Sequence, residues 1–257
     1  MKKKKAILIV SFGTSHLDAL VKTIQVIEQE VKDKFADCEV YRAFSNQVIL
    51  NRLKEKEQLY IHNIREAMEQ MAADGIETVI VQPTHIINGL DNDKMIGQVM
   101  EYTGRFRKIR VGKPLLSSVE DYKKAVHAVM AEVELAEAEV LVLMGYGTDH
   151  HANSAYPSLE YTFHCLGYQQ VLVGTAQGFP NIRNVLTRLE NMKVKKVLLL
   201  PFLVVAGGHA KNDMAGDENS WKTVLLETGY EVRTLVKGLG EMQGIRNIFI
   251  EHIEEVI

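Results

Sequence analysis

The sequence predicts an α/β protein of two similar Rossmann-like halves, each a parallel sheet flanked by helices. Three observations predict it. Short apolar runs alternate with amphipathic helical stretches along the 257 residues. Two strand-and-loop patterns occur twice, in the same order. Loops rich in glycine and histidine follow the apolar runs, at the edge where open parallel sheets bind ligands.

Within the first run, "AILIVSF", the apolar part Ala6 to Val10 is only five residues, too short for a secretory leader, which needs about 7–15. It reads as a buried strand behind a solvated basic lead-in, Lys2 to Lys5. Residues 16–35 carry Leu17, Leu20, Val21, Ile24, Ile27 and Val31 at helical spacing. "CEVYRAF" is a strand, and "REAMEQMAADG" a helix ended by Gly75. "ETVIVQP" is a strand stopped by Pro83. Residues 91–103 are helical, "KIRVGKPL" is a strand, and 118–135 are helical. The series restarts with the strand "AEVLVLMGYG" and a helix near 153–167. "QQVLVGTAQG", a helix near 181–192, "KKVLLLPFLVV", a helix near 213–228 and "EVRTLVKGLG" follow, and a last helix spans 241–257. Apolar strands of this kind belong to a parallel sheet covered on both faces.

Composition bounds the function classes. Hydrophobic residues make up 46% and charged residues 25%, as in ordinary soluble proteins. Five prolines and no low-complexity tract argue against disorder. A net charge of −3 gives no pull toward nucleic acid or anionic membrane. No segment approaches the roughly 20 apolar residues of a membrane span. Cys38 and Cys165 lack metal-type spacing, so a reducing cytoplasm is expected.

The duplication locates the expected site. "AILIVSFGTS" matches "EVLVLMGYGTD", with Gly13 and Thr14 over Gly147 and Thr148 at an offset of 134. "ETVIVQPTHIINGLDND" matches "KKVLLLPFLVVAGGHAKND", with Pro83 over Pro201 at an offset of 118. The halves are placed at 1–125 and 126–240, with the helix 241–257 free to pack back on the first. A ligand cleft is expected between them, lined by Ser11 to Ser15, Asn88 to Asp93, Tyr146 to His151 and Gly207 to Asp213.

Within these loops His209 follows two glycines past an apolar strand. A neutral imidazole there can ligate a metal or take a proton, or it caps the next helix. His85, directly after a strand, is either a second base or a near-core histidine. Asp91, Asn92 and Asp93 cap a helix, or the two carboxylates, Asp91 and Asp93, feed a cation toward the cleft. Tyr146 is a metal ligand, a hydrogen-bond donor, a stacking face or a packed loop residue. His150 and His151 are adjacent and cannot easily share one metal. G-x-G-x-x-G, the phosphate-binding G-x-x-x-x-G-K-[ST], H-E-x-x-H and G-x-S-x-G are all missing from the sequence.

"SFGTS", "YRAFSNQVI", "THIINGLDNDK", "GYGTDHHANSAY", "VGTAQGFP" and "AGGHAKNDMAGDENSWK" together resemble the anaerobic cobalt chelatases, class II chelatases that insert Co2+ into sirohydrochlorin without ATP. The resemblance runs nearly end to end and implies two chelatase-like domains with a tetrapyrrole bound between them. It implies that His209 is metal ligand and proton acceptor, with His85 assisting. Tyr146 stands where the family has a second histidine, Gln177 where a glutamate is common, and Asp91 where some members place a glutamate. Gly208 replaces a frequent aspartate. Metal contacts are thus expected from His209, Tyr146, Gln177 and Asp91. Substrate contacts are expected from Ser11, Phe12, Thr14, Arg42, Asn88, Gly89, Tyr146, His150 and Gln177. Arg42, Lys94 and Lys211 are candidates to meet substrate carboxylates. No tightly bound cofactor is expected; cobalt is a substrate, with iron or nickel as alternatives. A homo-oligomer is compatible with the sequence. The rival expectation is a chelatase-fold carrier of haem or metallated sirohydrochlorin, since tyrosine and histidine both serve as axial haem ligands.

Overall fold

The computed structural model describes residues 4–257, so the basic lead-in at Lys2 and Lys3 lies outside the described residues. The chain forms two compact units. Residues up to Ser117 join Ile245–Ile257 in the first, and Ser118–Gly244 make the second.

The first unit holds a parallel sheet of β1 (Lys5–Ser11), β2 (Glu39–Phe44), β3 (Thr78–Pro83) and β4 (Lys108–Val111), in the order β2-β1-β3-β4. The second repeats this with β5 (Glu139–Gly145), β6 (Val171–Thr175), β7 (Lys196–Pro201) and β8 (Glu231–Thr234), in the order β6-β5-β7-β8. Both registers obey the offsets read from the sequence. Val10 stands beside Pro83 and Met144 beside Pro201, so adding 134 to the first residue and 118 to the second turns one pair into the other.

Strand alternation divides the first core into two layers. Ala6, Leu8 and Val10 pack with Ile64, Met68, Met95 and Val99 on one face. These come from α4 (Ile64–Ala73) and α5 (Leu90–Met100). Ile7 and Ile9 pack with Val31, Ile250 and Ile253 on the other. Val31 belongs to α2 (Ile24–Lys34), and the two isoleucines to α10 (Gln243–Glu254). In the second unit Val140, Val142 and Met144 pack with Val185, Leu189, Trp221 and Leu225. Those residues lie on α8 (Ile182–Met192) and α9 (Trp221–Glu227).

The structure differs from the sequence reading in five places. The helix expected over 16–35 is two, α1 (Leu17–Lys22) and α2, because buried Thr23 donates its hydroxyl to Ala19 O at 2.5 Å and leaves helical geometry. A helix not anticipated, α3 (Gln47–Lys56), starts where the Asn46 side chain accepts from Ile49 N. The unit boundary falls at 117/118, not 125/126, because α6 (Val119–Met130) is one rigid element capped by Ser118 and packed on α7 (Ala155–Cys165). The second crossing lies at 244/245 in place of 240/241. The helix expected near 213–228 begins only at Trp221, where Ser220 caps it. A separate π turn, His209–Met214, precedes it.

Candidate active site at the strand ends

In the second unit two loops bring an aromatic ring, an imidazole and a carboxylate together. The first follows β5. A Cβ on Gly145 would lie 2.2 Å from the Tyr156 ring, and one on Gly147, at φ +84°, would lie 2.7 Å from Gly178 N. Both flanking glycines of "GYG" are therefore required by packing and backbone conformation. Tyr156 is buried there, its hydroxyl pushed up to about 12 by desolvation. Tyr146, between the glycines, is half-buried. Its ring meets that of His209 edge-on, with centroids 4.8 Å apart and planes at 61°.

The second loop follows β7 and ends in the π turn. His209 Nδ1 lies 2.6 Å from Asp213 Oδ2. Ala210 and Met214 are buried and root the turn in the core, while His209 and Asp213 stay half-exposed. The sequence reading sets Asp213 only at the end of a cleft loop and not as the partner of His209, although "HAKND" places it four residues on, the spacing at which helical side chains meet. Lys211 is half-buried in the same turn, its backbone N–H bonded to Gly207 O.

The remaining loops of this unit are held by local hydrogen bonds. His150 N donates to Thr148 Oγ1 at 3.1 Å, and His150 Nδ1 accepts from Ala152 N at 3.3 Å, capping the short turn His151–Ser154. The exposed Gln177 donates its backbone N–H to Tyr146 O at 2.8 Å.

The first unit repeats the frame with other chemistry. Gly13 has φ +97°, and Thr14 Oγ1 accepts from His16 N at 3.1 Å, matching Thr148 and His150. Asn46 N donates to Phe12 O as Gln177 N does to Tyr146 O. Phe12 is half-buried at the end of β1. Buried Ser11 accepts from Thr84 Oγ1 at 2.9 Å, a bond that ties β1 to the exit of β3. His85 is buried. Its Nδ1 stands 3.4 Å from Asn92 Oδ1, and Asn92 Nδ2 donates to Asn88 Oδ1 at 2.6 Å. Because the Asn92 amide donates elsewhere, its oxygen accepts the Nδ1 proton, and Nε2 is left as a buried acceptor without a hydrogen bond. Burial pushes the His85 imidazole below its ordinary 6.5; the Asn92 bond and the Asp91 charge oppose this less strongly. Gly89 is the N-cap of α5, and Asp91 and Lys94 are exposed on it. Asn92 is the second residue that sequence reasoning missed as a partner. In the sequence it reads only as a helix-cap residue.

Arg42 lies within β2, and Glu28 grips its guanidinium with both carboxylate oxygens. It lines a groove of about 530 Å³ with Lys32, Tyr60 and His62. The metal set is also looser than expected. His209 and Tyr146 meet in the second unit, whereas Asp91 belongs to the first. Among the described residues no three His, Cys, Asp or Glu side chains gather as a metal-holding group.

A family model described as cobalt chelatase (CbiK) matches residues 5–257. The chain belongs to that family. It is 34% identical over 256 residues to sirohydrochlorin cobaltochelatase of Salmonella typhimurium (strain LT2), covering 99% of this chain and 97% of that protein. It is 30% identical over 259 residues to sirohydrochlorin cobaltochelatase CbiKC of Nitratidesulfovibrio vulgaris (strain Hildenborough), covering 99% and 91%. The fold matches SirB from Bacillus subtilis with Fe3+ at a TM-score of 0.68 and 19% identity, over 98% of this chain and 95% of that one. Among the described residues no helix is long and apolar enough to cross a membrane.

Proposed function

We infer that this chain inserts Co2+ into sirohydrochlorin without ATP, in cobalamin formation. The observation that carries the reading is family membership over residues 5–257, in a chain that keeps an imidazole on the loop after β7. The reaction must strip two protons from pyrrole nitrogens and seat a metal among four of them. His209 is the base and a metal ligand. Tyr146 lines its ring, and Gln177 borders the same loop pair. Few strong ligands suit a cation that must leave again.

In the first unit the exposed Asp91 carboxylate hands on the cation, and His85 serves as a second, neutral base. Ser11, Phe12, Thr14, Asn88, Gly89 and His150 shape the loops that receive the macrocycle. Lys94 and Lys211 meet its carboxylates. Only two cysteines in the sequence, Cys38 and Cys165, without metal-type spacing, support a cytoplasmic location.

The test is anaerobic mixing of protein, sirohydrochlorin and Co2+ with absorbance followed in time. Turnover should exceed the protein-free rate, and His209→Ala should slow it by about 100-fold or more, the usual weight of a positioned base. An unaffected rate in His209→Ala removes the proposed base. The Tyr146–His209 ring pair favours one rival, a tetrapyrrole carrier. Wild-type insertion no faster than the blank, with tight haem binding, would select it. Repeating the assay with Fe2+ and Ni2+ reads the metal preference.

A further inference from the structure

We propose that Asp213 is a positioning residue for His209, fixing its proton on Nδ1 and its ring in one orientation so that Nε2 is the nitrogen presented to substrate. The proposal rests on His209 being the working base. An ionised carboxylate has only acceptors, so in the 2.6 Å contact the Nδ1 is the donor. A neutral imidazole carries one N–H, and Nε2 therefore holds a lone pair. The imidazole of an unconstrained histidine prefers the opposite tautomer, so the bond reverses an intrinsic preference.

The local backbone is built around this pair. Ala215 N donates to Ala210 O across five residues, the step of a π turn, a form that concentrates at functional sites. A Cβ on Gly216 would lie 2.5 Å from Asn212 O, so the turn can close only over glycine. Buried Ala210 and Met214 fix one side of the turn, and His209 and Asp213 share the other at 43% and 46% side-chain exposure. Tyr146 flanks the imidazole and limits its rotation. A hydrogen bond this exposed contributes little to stability. Stability alone therefore gives little reason for the arrangement.

The test uses the full chain, metal-free and 15N-labelled, at about pH 9, well above the ordinary imidazole value of about 6.5. Long-range proton–nitrogen correlation identifies the protonated nitrogen, with the His209 signals assigned by their loss in His209→Gln. Wild type should show Nδ1–H. Asp213→Asn, whose amide can turn its NH2 toward Nδ1, should lose the Nδ1–H preference while leaving the turn folded. Asp213→Leu, or Asp213→Ala should Leu not fold, should shift the population to Nε2–H. It should lower kcat by about 10–100-fold, the usual cost of losing such a partner, with KM for sirohydrochlorin little changed. Nε2–H in the wild type, no tautomer change in Asp213→Leu, or an unchanged kcat in Asp213→Leu would each overturn the proposal. A wild type that fails to insert cobalt sinks the function instead, and the nitrogen spectrum still decides the tautomer.

Discussion

His85 shows how much one side chain depends on its surroundings. In the sequence it is a histidine after a strand, open to either role. In the fold it is buried, with Asn92 on Nδ1 and no hydrogen bond at Nε2. Burial lowers its proton affinity below the ordinary 6.5, so the unfolded chain takes up a proton there first as pH falls. The contribution to stability is complete above about pH 6.5 and declines as pH drops below it. Thermal melts from pH 8 to pH 5 should therefore fall more steeply for wild type than for His85→Gln. Parallel curves would show that the imidazole is not held neutral. Asn92 was legible only as a helix-start residue, because nothing in "THIINGLDND" states that positions 85 and 92 fold onto each other.

At the level of elements, α10 illustrates a long-range dependence. It is the last helix in the chain, yet its isoleucines 250 and 253 complete the layer of Ile7, Ile9, Val31 and Ile80. Arg246 pairs with Glu30, Lys113 with Glu255, and Arg110 with the carbonyl oxygens of Val256 and Ile257. Each buried isoleucine is worth about 1.5–3 kcal/mol, against a typical domain stability of about 5–15 kcal/mol. Removing Ile245–Ile257 should therefore leave the first unit unfolded or protease-sensitive. Limited proteolysis should then cut within residues up to 117 well before the wild type is cut, and an unchanged cleavage pattern would contradict this. Helix and strand existence was readable for most elements, since apolar periodicity is local. The exceptions had other causes. Thr23 breaks a helix through a side-chain bond invisible to periodicity. The start of α3 is marked only by the Asn46 cap, a single residue without a strong apolar period behind it. The π turn depends on Gly216 meeting Asn212 O, a contact that sequence spacing does not announce.

For the whole molecule the duplication makes a quantitative demand. Gly13 and Gly147 hold equivalent positive φ angles, and each leaves no room for a Cβ: Phe44 blocks the first at 2.5 Å and Gly178 N the second at 2.7 Å. Alanine at either position should cost about 1–3 kcal/mol in backbone strain, before any clash. The chain has one tryptophan, Trp221, in the second core. Its fluorescence should report a larger loss of stability for Gly147→Ala than for Gly13→Ala, while far-ultraviolet dichroism registers both. Equal shifts at Trp221 would mean that the two units do not unfold as separate cooperative bodies.

The sequence by itself determined the alternation of strands and helices, the repeat with offsets of 134 and 118, the family and the histidine at 209. These are carried by local periodicity and by residue types at fixed spacing, which survive being read as a string. Only the tertiary structure decided that Asp213 holds His209, that Asn92 faces His85, and that Glu28 occupies Arg42. It alone assigned the last helix to the first core. Partner choice is a matter of distance and burial, and a hydrogen bond or ion pair forms only where the folded chain brings donor and acceptor within reach.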